Sequence, residues 1–233
     1  MSAPLFITET EAKINTTLKT KEVASFFSGQ MLLRNPPCVR HPDPPKNWDN
    51  IKAVNWIMNR HPSKESRIMD AGGLKISSLL PTFRNFGYKN LFAMDLNNPQ
   101  PSTWHNGILY EKGDITETRY PDNHFDAVGC MSVVEHGVPL EGFFAEMSRI
   151  IKPGGSLVVS TDYWKEKIIN HTGVYAFGVP VFIFSKEDVE EAIVIASRHG
   201  FRTESEIDYE CSEKTISWCG FQYTFIIICF VLE

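Results

Sequence analysis

The sequence lacks an excess of positive charge. Its 233 residues include 23 lysines and arginines against 28 acids, which gives a net charge of −5 at pH 7. Proteins that bind nucleic acid or anionic membranes usually carry the opposite balance, because phosphate groups attract lysine and arginine. The composition therefore predicts no nucleic-acid partner and no membrane partner. It favours a small molecule or a sugar as the substrate.

Cysteine is also scarce. There are five cysteines, and no two have the spacing of a zinc knuckle, so we predict no metal site. Because their number is odd, we expect free thiols in a reducing compartment. Long hydrophobic runs are missing too, since the strongest, residues 223–232, has about half the length of a membrane span. The N-terminus shows no signal-peptide pattern. We therefore expect a cytoplasmic protein.

Prolines divide the chain near residue 40. Five of them between Pro36 and Pro45 disfavour regular structure and indicate a stiff connector. Before it, residues 8–33 show weak helical periodicity, which predicts one or two short helices packed on the main domain. We therefore divide the chain into a helical appendage with its connector, residues 1–47, and a main domain, residues 48–233.

Beyond the connector, strand and helix patterns alternate. Strands are predicted at residues 66–70, 90–95, 107–114, 124–133, 156–161, 203–211 and 222–231. Helices are predicted at residues 49–59 and 78–86, from Leu140 to the KPGG sequence at 152–155, and from the Ser185 cap to Gly200. This alternation predicts a doubly wound, mainly parallel, seven-stranded Rossmann-like α/β sheet with helices on both faces. The last two strands lack an intervening helix, which indicates an antiparallel C-terminal hairpin.

Acidic residues follow three of the predicted strands. Asp70, Asp95 and Asp114 therefore converge on the carboxyl edge of the sheet, where ligands of open α/β sheets bind. Asp95 follows Asp70 at close to the ~20-residue separation at which an acid binds ribose hydroxyls. Gly72 and Gly73 allow the backbone to approach a ligand without an intervening Cβ atom. Each residue alone has a structural explanation, but the set indicates a nucleotide-like cofactor.

These motifs resemble those of the class I S-adenosylmethionine-dependent methyltransferases over residues 49–231. The resemblance is carried by RIMDAGG, FAMDLN, EKGDIT, HFDAVGCMSVVEHG and EMSRIIKPGGSLVVST. It implies S-adenosylmethionine as the cofactor. The residues it assigns to the cofactor are Asp70, Gly72 and Gly73 at the methionine end, Asp95 at the ribose, Leu96, Asp114 and Ile115 at the adenine, and Met131 beside the cofactor.

The resemblance also implies methyl transfer to a nucleophile. A hydroxyl acceptor needs a base, and His136, after the fourth strand, is the candidate, with a structural role as the open alternative. The long aromatic segment 161–185 supplies the candidates for the acceptor wall, which are Tyr163, Trp164, His171 and Tyr175. Trp164 and Tyr175 could equally be packing residues. Its similarity to bacterial methyltransferases of polysaccharide biosynthesis implies a carbohydrate hydroxyl.

Two other functions stay open, because Leu74 and Ile76 occupy positions where the family has glycine. A non-catalytic relative, serving as a binding or scaffold subunit, would account for this loss. An NAD-dependent oxidoreductase would share an acid such as Asp95. It would, however, need the missing glycines, and it does not predict the terminal hairpin.

Overall fold

The computed structural model describes residues 13–171 and 173–233, so residues 8–12 of the predicted helical segment lie outside the described part. The chain begins there with a short strand, β1 (Thr16–Thr17), and a helix, α1 (Lys21–Phe26). Thr20 caps α1 by accepting a hydrogen bond from the Val23 N–H. A π-helical turn (Phe27–Met31) and a last short turn, α2 (Leu32–Arg34), lead into the proline-rich connector.

The remaining elements follow in the predicted alternation. In chain order they are α3 (Lys46–Arg60), β2 (Arg67–Ala71), α4 (Leu79–Asn85), β3 (Asn90–Asp95), β4 (Thr103–His105), β5 (Ile108–Lys112), β6 (Phe125–Met131), α5 (Leu140–Ile150), β7 (Ile151–Tyr163), β8 (Tyr175–Ala176), β9 (Val179–Pro180), α6 (Lys186–Arg198), β10 (Phe201–Thr203), β11 (Ile216–Trp218) and β12 (Phe221–Leu232). None of the described helices is long and apolar enough to cross a bilayer.

The main sheet confirms the predicted fold class. Its order is β1-β12-β7-β6-β2-β3-β5-β4, and the five inner strands from β7 to β5 run parallel. Strand β12 is antiparallel to β7, from Thr224 opposite Tyr163 to Val231 opposite Ser156. The described sheet has ten strands rather than seven, because the short strands β1, β4 and β11 add to the predicted set.

Two predicted boundaries were wrong. The strand expected at 203–211 is only Phe201–Thr203, which pairs with the end of β12, and the terminal hairpin is formed instead by β11 and β12. The KPGG sequence does not separate α5 from the next strand, since β7 begins at Ile151 and runs through it. Positive φ at Gly154 and a register shift between β6 and β7 let the chain stay in the sheet there.

Side chains alternate between two apolar layers, as the period of a strand requires. On β12, Ile227 and Cys229 face the layer under α3, α4 and the N-terminal segment, whereas Ile226 and Ile228 face the layer that includes α5. The strand order reverses at β2, which lies between β3 and β6. A ligand site is expected at the carboxyl edge of such a switch point.

Candidate functional site

Two adjoining cavities lie at this switch point. One has a volume of about 340 Å³ and the other about 620 Å³. They share six lining residues, which form the junction between them: Gly72, Leu74, Ser132, Val133, His136 and Phe177. Together the cavities offer space for an elongated ligand with an acceptor beside it.

The smaller cavity brings together the residues expected at the adenosine end of the cofactor. Its lining includes Asp95, Leu96, Asp114 and Ile115. Asp95 Oδ1 accepts the backbone N–H of Asn97 at 2.7 Å, so the carboxylate is held at the end of β3. Asp114 Oδ1 is held in the same way by the N–H and the hydroxyl of Thr116, at 2.8 and 2.7 Å. Both acids are therefore positioned to accept hydrogen bonds from a nucleoside.

The loop after β2 requires glycine for two separate reasons. Gly72 has a φ of +91°, and a Cβ atom there would lie 2.3 Å from Val133 Cγ2 at the cavity junction. A Cβ atom on Gly73 would lie 2.7 Å from the Asp70 carboxyl group, although Gly73 itself lines neither cavity. The backbone at Gly72 thus forms a narrow wall against which a ligand can lie closely.

Asp70 is a buried acid in the larger cavity. Its side chain is only 2% exposed, and its Oδ2 accepts the Ser77 hydroxyl at 2.6 Å. Burial raises the pKa of Asp70 to about 6, and the negative charge of Asp95 adds to the rise, while the Ser77 hydrogen bond opposes it. A cationic ligand group beside this carboxyl would favour its ionised form.

Leu74 and Ile76 line the cavity instead of filling it. Leu74 lies at the junction of the two cavities, and Ile76 lies at the larger one with 68% of its surface exposed. The space expected for a cofactor is therefore present despite the two missing glycines. Met131, at the end of β6, lines the larger cavity as well.

A lysine that the sequence analysis did not single out reaches the larger cavity from α3. Lys46 Nζ forms an ion pair with Asp49 Oδ2 at 3.0 Å and a hydrogen bond with the Ser132 hydroxyl, and it lies over the Phe225 ring. Ser160 donates to the same Asp49 oxygen at 2.7 Å. These contacts join α3 to β7 and β12. The predicted helix began three residues too late to include Lys46.

The strand ends beside this lysine carry further polar groups. Glu135, Asp162 and Tyr223 all line the larger cavity. Burial, followed by the charge of Glu135, raises the pKa of Asp162 well above its usual range. The Tyr223 hydroxyl bonds to Asp162, and burial raises the pKa of Tyr223 as well. Within the described residues, no three acid, histidine or cysteine side chains form a cluster able to hold a metal ion.

The rim of the larger cavity is aromatic, but it is built from residues that the sequence analysis did not name. Phe177, between β8 and β9, stacks on Trp218 of β11 with ring centroids 6.3 Å apart. Its ring also contacts the edge of His136 at 4.8 Å. Phe177 is 78% exposed, so much of its surface is available to a ligand. His136, the candidate base, lies at the cavity junction.

The four residues predicted for the acceptor wall are not brought to either cavity. Tyr163 is buried because β7 extends further than predicted, and its hydroxyl donates to the Tyr209 carbonyl at 3.1 Å. Trp164 packs against both apolar layers and lies under Lys214 Nζ, 4.9 Å from its ring centroid. His171 and Tyr175 are exposed. The aromatic side chains at the rim of the larger cavity are instead those of Phe177 and Trp218.

Comparisons with known proteins agree with this geometry. Residues 71–159 match the family described as "Methyltransferase domain". A sterol 24-C-methyltransferase from Yarrowia lipolytica is 30% identical over 116 residues, which are 48% of this chain. The match spans only 30% of that protein's length.

Solved structures resemble the whole fold at low identity. The 4+2 cyclase SpnF has a TM-score of 0.59 at 14% identity, covering 94% of this chain and 98% of its own. A geranyl diphosphate C-methyltransferase from Streptomyces coelicolor A3(2), solved with S-adenosyl-L-homocysteine, has a TM-score of 0.53 at 14% identity, covering 77% of this chain and 78% of its own. Residues 71–159 therefore form a methyltransferase domain, and the fold around them is shared with S-adenosylmethionine-dependent methyltransferases of known structure.

Proposed function

We propose that this chain transfers the methyl group of S-adenosylmethionine to a hydroxyl group of a small molecule, with a carbohydrate as the substrate class. The observation that carries the proposal is the pair of joined cavities, with Asp95 and Asp114 in one and Asp70 in the other. Gly72 lies at their junction, where a side chain would collide with Val133. The two cavities together match a cofactor with a nucleoside end and an amino-acid end.

The residues divide the task between the two cavities. Asp95 and Asp114 bind the nucleoside, and Asp70 and the Gly72 backbone hold the amino-acid end. S-adenosylmethionine supplies a methyl group that is already activated by its sulfonium, so the protein chiefly has to position the acceptor and exclude water. The joined arrangement brings an acceptor in the larger cavity close to His136 and Ser132.

The acceptor end favours a neutral molecule with hydroxyl groups. Aromatic faces such as those of Phe177 and Trp218 suit the apolar faces of a sugar ring. Asp43 and Glu135 line the same cavity, and its lysine is already paired with Asp49, so a phosphorylated acceptor would meet repulsion. The names of the curated relatives likewise support a small molecule, in their case a sterol.

Calorimetry on two matched glycine variants tests the cofactor site. We expect wild-type protein to bind S-adenosylmethionine saturably and NAD not at all. Gly72→Ala should weaken the affinity at least tenfold, because its methyl group would displace Val133 at the cavity junction. Gly87→Ala is the control, since Gly87 has almost the same φ, +89°, and a Cβ atom added there would meet no other atom within 4 Å. It should retain full affinity.

The acceptor is identified by transfer of labelled methyl groups to a panel of methyl glycosides, phosphorylated sugars and sterols. Transfer to a neutral glycoside is the expected result. Absence of S-adenosylmethionine binding by the folded wild-type chain would contradict the cofactor assignment and favour a scaffold subunit. Preference for a phosphorylated sugar or a sterol would contradict the acceptor class alone.

A further inference from the structure

One carboxylate oxygen in the larger cavity has no hydrogen-bond donor in the part of the chain that the structure describes. Glu135 lies after β6, lines this cavity and is only 1% exposed. Its Oε2 accepts the Thr161 hydroxyl at 3.0 Å, whereas its buried Oε1 has no partner among the described residues. Buried polar atoms are nearly always paired in folded proteins, because an unpaired one has lost its hydrogen bonds to water without replacement. The unpaired Oε1 of Glu135 is therefore expected to accept a hydrogen bond from a bound ligand.

Within residues 13–171 and 173–233, the surroundings of Glu135 do not supply a free cation. The titratable groups near it come from four elements: Cys130 of β6, Asp162 of β7, Tyr223 of β12, and Lys46 and Asp49 of α3. Lys46 is the cation among them, and its charge is held by Asp49 at 3.0 Å. Asp162 carries a raised pKa in part because Glu135 is its neighbour. The cavity therefore offers a proton-accepting oxygen without an internal donor to satisfy it.

We propose that Glu135 binds the reacting hydroxyl of the acceptor and takes its proton. This inference rests on the proposed methyl transfer and names the base for it. The acceptor oxygen forms a bond to the methyl carbon, while the electron pair of the old carbon–sulfur bond stays on sulfur. The hydroxyl proton moves to the Glu135 carboxylate and later leaves to solvent. An acceptor O–H thus supplies the donor that Oε1 lacks.

The geometry favours Glu135 over His136 for this role. Thr161 fixes the Glu135 carboxylate through Oε2, so the other oxygen has a defined position. The His136 ring contacts the rings of Phe177 and Trp218, and among the described residues no group hydrogen-bonds its nitrogens. Nothing there selects a tautomer for His136. His136 and its aromatic partners instead contribute to the wall around the acceptor.

The test uses Glu135→Gln in the full chain, with Glu146→Gln as the matched control. Glu146 is also a buried glutamate, but it pairs with Arg149 at 2.7 Å and lies outside both cavities. With the best methyl glycoside of the panel, Glu135→Gln should lower kcat at least 100-fold, because an amide cannot take the proton. S-adenosylmethionine affinity should stay within twofold, and His136→Asn should lower kcat less than tenfold. Glu146→Gln should retain wild-type kcat.

Thermal unfolding gives a second measurement that needs no acceptor. Glu135→Gln should keep or raise the melting temperature, because it removes a buried charge beside Asp162. Glu146→Gln should lower it, because Arg149 loses the more buried of its two charged partners, Glu146 and Asp122. A melting temperature lowered as far by Glu135→Gln as by Glu146→Gln, or an unchanged kcat, would show a structural role and overturn the proposal. Failure of the cofactor assignment would appear separately, as absent S-adenosylmethionine binding in the wild-type chain.

Discussion

Asp70, a buried carboxyl group in the proposed cofactor site, makes the stability of the fold depend on pH. Its folded-state pKa of about 6 lies above the ordinary value near 3.8 because the side chain is withdrawn from water. Below pH 3.8 the folded and the unfolded chain both hold the proton. Between pH 4 and 6 the unfolded chain loses the proton while the folded chain keeps it. Stability therefore falls as the pH rises through this window and levels off above it.

The effect can be measured with Asp70→Asn, whose amide oxygen can still accept the Ser77 hydroxyl. In urea titrations, the free energy of unfolding of the wild-type chain should fall by roughly 2–3 kcal/mol from pH 4 to pH 6.5 more than that of the variant. In wild-type protein, S-adenosylmethionine affinity should rise over the same range, because its cationic groups favour the ionised carboxyl. Equal slopes for the two proteins would show that Asp70 does not carry the raised pKa.

At the scale of elements, the β8–β9 hairpin is the part of the long loop after β7 that reaches the cavities. Phe177 lies at its tip with a φ of +53° and lines both cavities, whereas Tyr175, two residues earlier, lines neither. Both rings are well exposed, at 78% and 65%. The hairpin therefore offers one aromatic residue in the site and another beside it.

This pair separates a role in the site from a general effect of removing an aromatic side chain. Phe177→Ala should raise KM for a methyl glycoside five- to twentyfold, because the acceptor loses one face of the stacked rim, at about 1–2 kcal/mol. Tyr175→Ala should leave KM within twofold. Steady-state kinetics at saturating S-adenosylmethionine decide the matter. A larger effect at Tyr175 than at Phe177 would instead support the residue that the sequence pattern indicated.

The elements also show which features local sequence patterns can predict. Hydrophobic periodicity predicts the central strands. The rule that parallel strands end at one edge of the sheet then predicts that Asp70, Asp95 and Asp114 lie together there. The cavity junction at Gly72 is likewise local, because the loop directly follows β2. These features could be predicted because strand, loop and acid lie within a few residues of one another.

The lining of the larger cavity could not be predicted in the same way. Trp218 and Tyr223 reach it only because β12 lies antiparallel to β7, with Phe225 opposite Asp162. Lys46 reaches it because α3 packs against the sheet, which brings its amino group to Ser132 across 86 positions of sequence. Such contacts depend on tertiary register, which periodicity does not encode. Aromatic content alone therefore pointed to Tyr163, whose ring fills the core instead.

At the scale of the whole molecule, the N-terminal segment is tied to the C-terminal strand. Asn15 Oδ1 accepts the backbone N–H of Cys229 at 2.6 Å, and Asn15 Nδ2 donates to the Ser205 carbonyl at 2.9 Å. Leu18 extends this contact through its N–H to the Phe225 carbonyl. The segment before the proline-rich connector thus completes the same sheet that carries the site.

Asn15→Ala measures the strength of this link. It should lower the free energy of unfolding by roughly 2–4 kcal/mol, because a buried N–H loses its acceptor and the residue has a φ of +56°. Asn123→Ala is the control, since Asn123 has nearly the same φ, +55°, in an exposed turn. That variant should lose only about 1 kcal/mol. Equal losses in chemical denaturation would show that backbone conformation alone accounts for the effect.

The overall fold does not by itself determine the reaction. SpnF, named as a 4+2 cyclase, covers 94% of this chain with the same architecture. Function in such folds depends on the side chains at the carboxyl edge of the sheet. The acids and aromatic residues of the larger cavity, more than the fold, therefore determine which reaction this chain can catalyse.

The outer edge of β12 has a consequence for self-association. Three short strands share that edge: β11 pairs near Phe221, β1 near Ile227 and β10 near Leu232. An exposed strand edge is a template on which a second copy of a chain can polymerise through backbone hydrogen bonds. Among the described residues, the three short strands cover this edge and therefore leave no long unpaired stretch of β12 for such polymerisation. In the described sheet, only the opposite edge, at β4 with its exposed Trp104, offers a continuous site for strand addition.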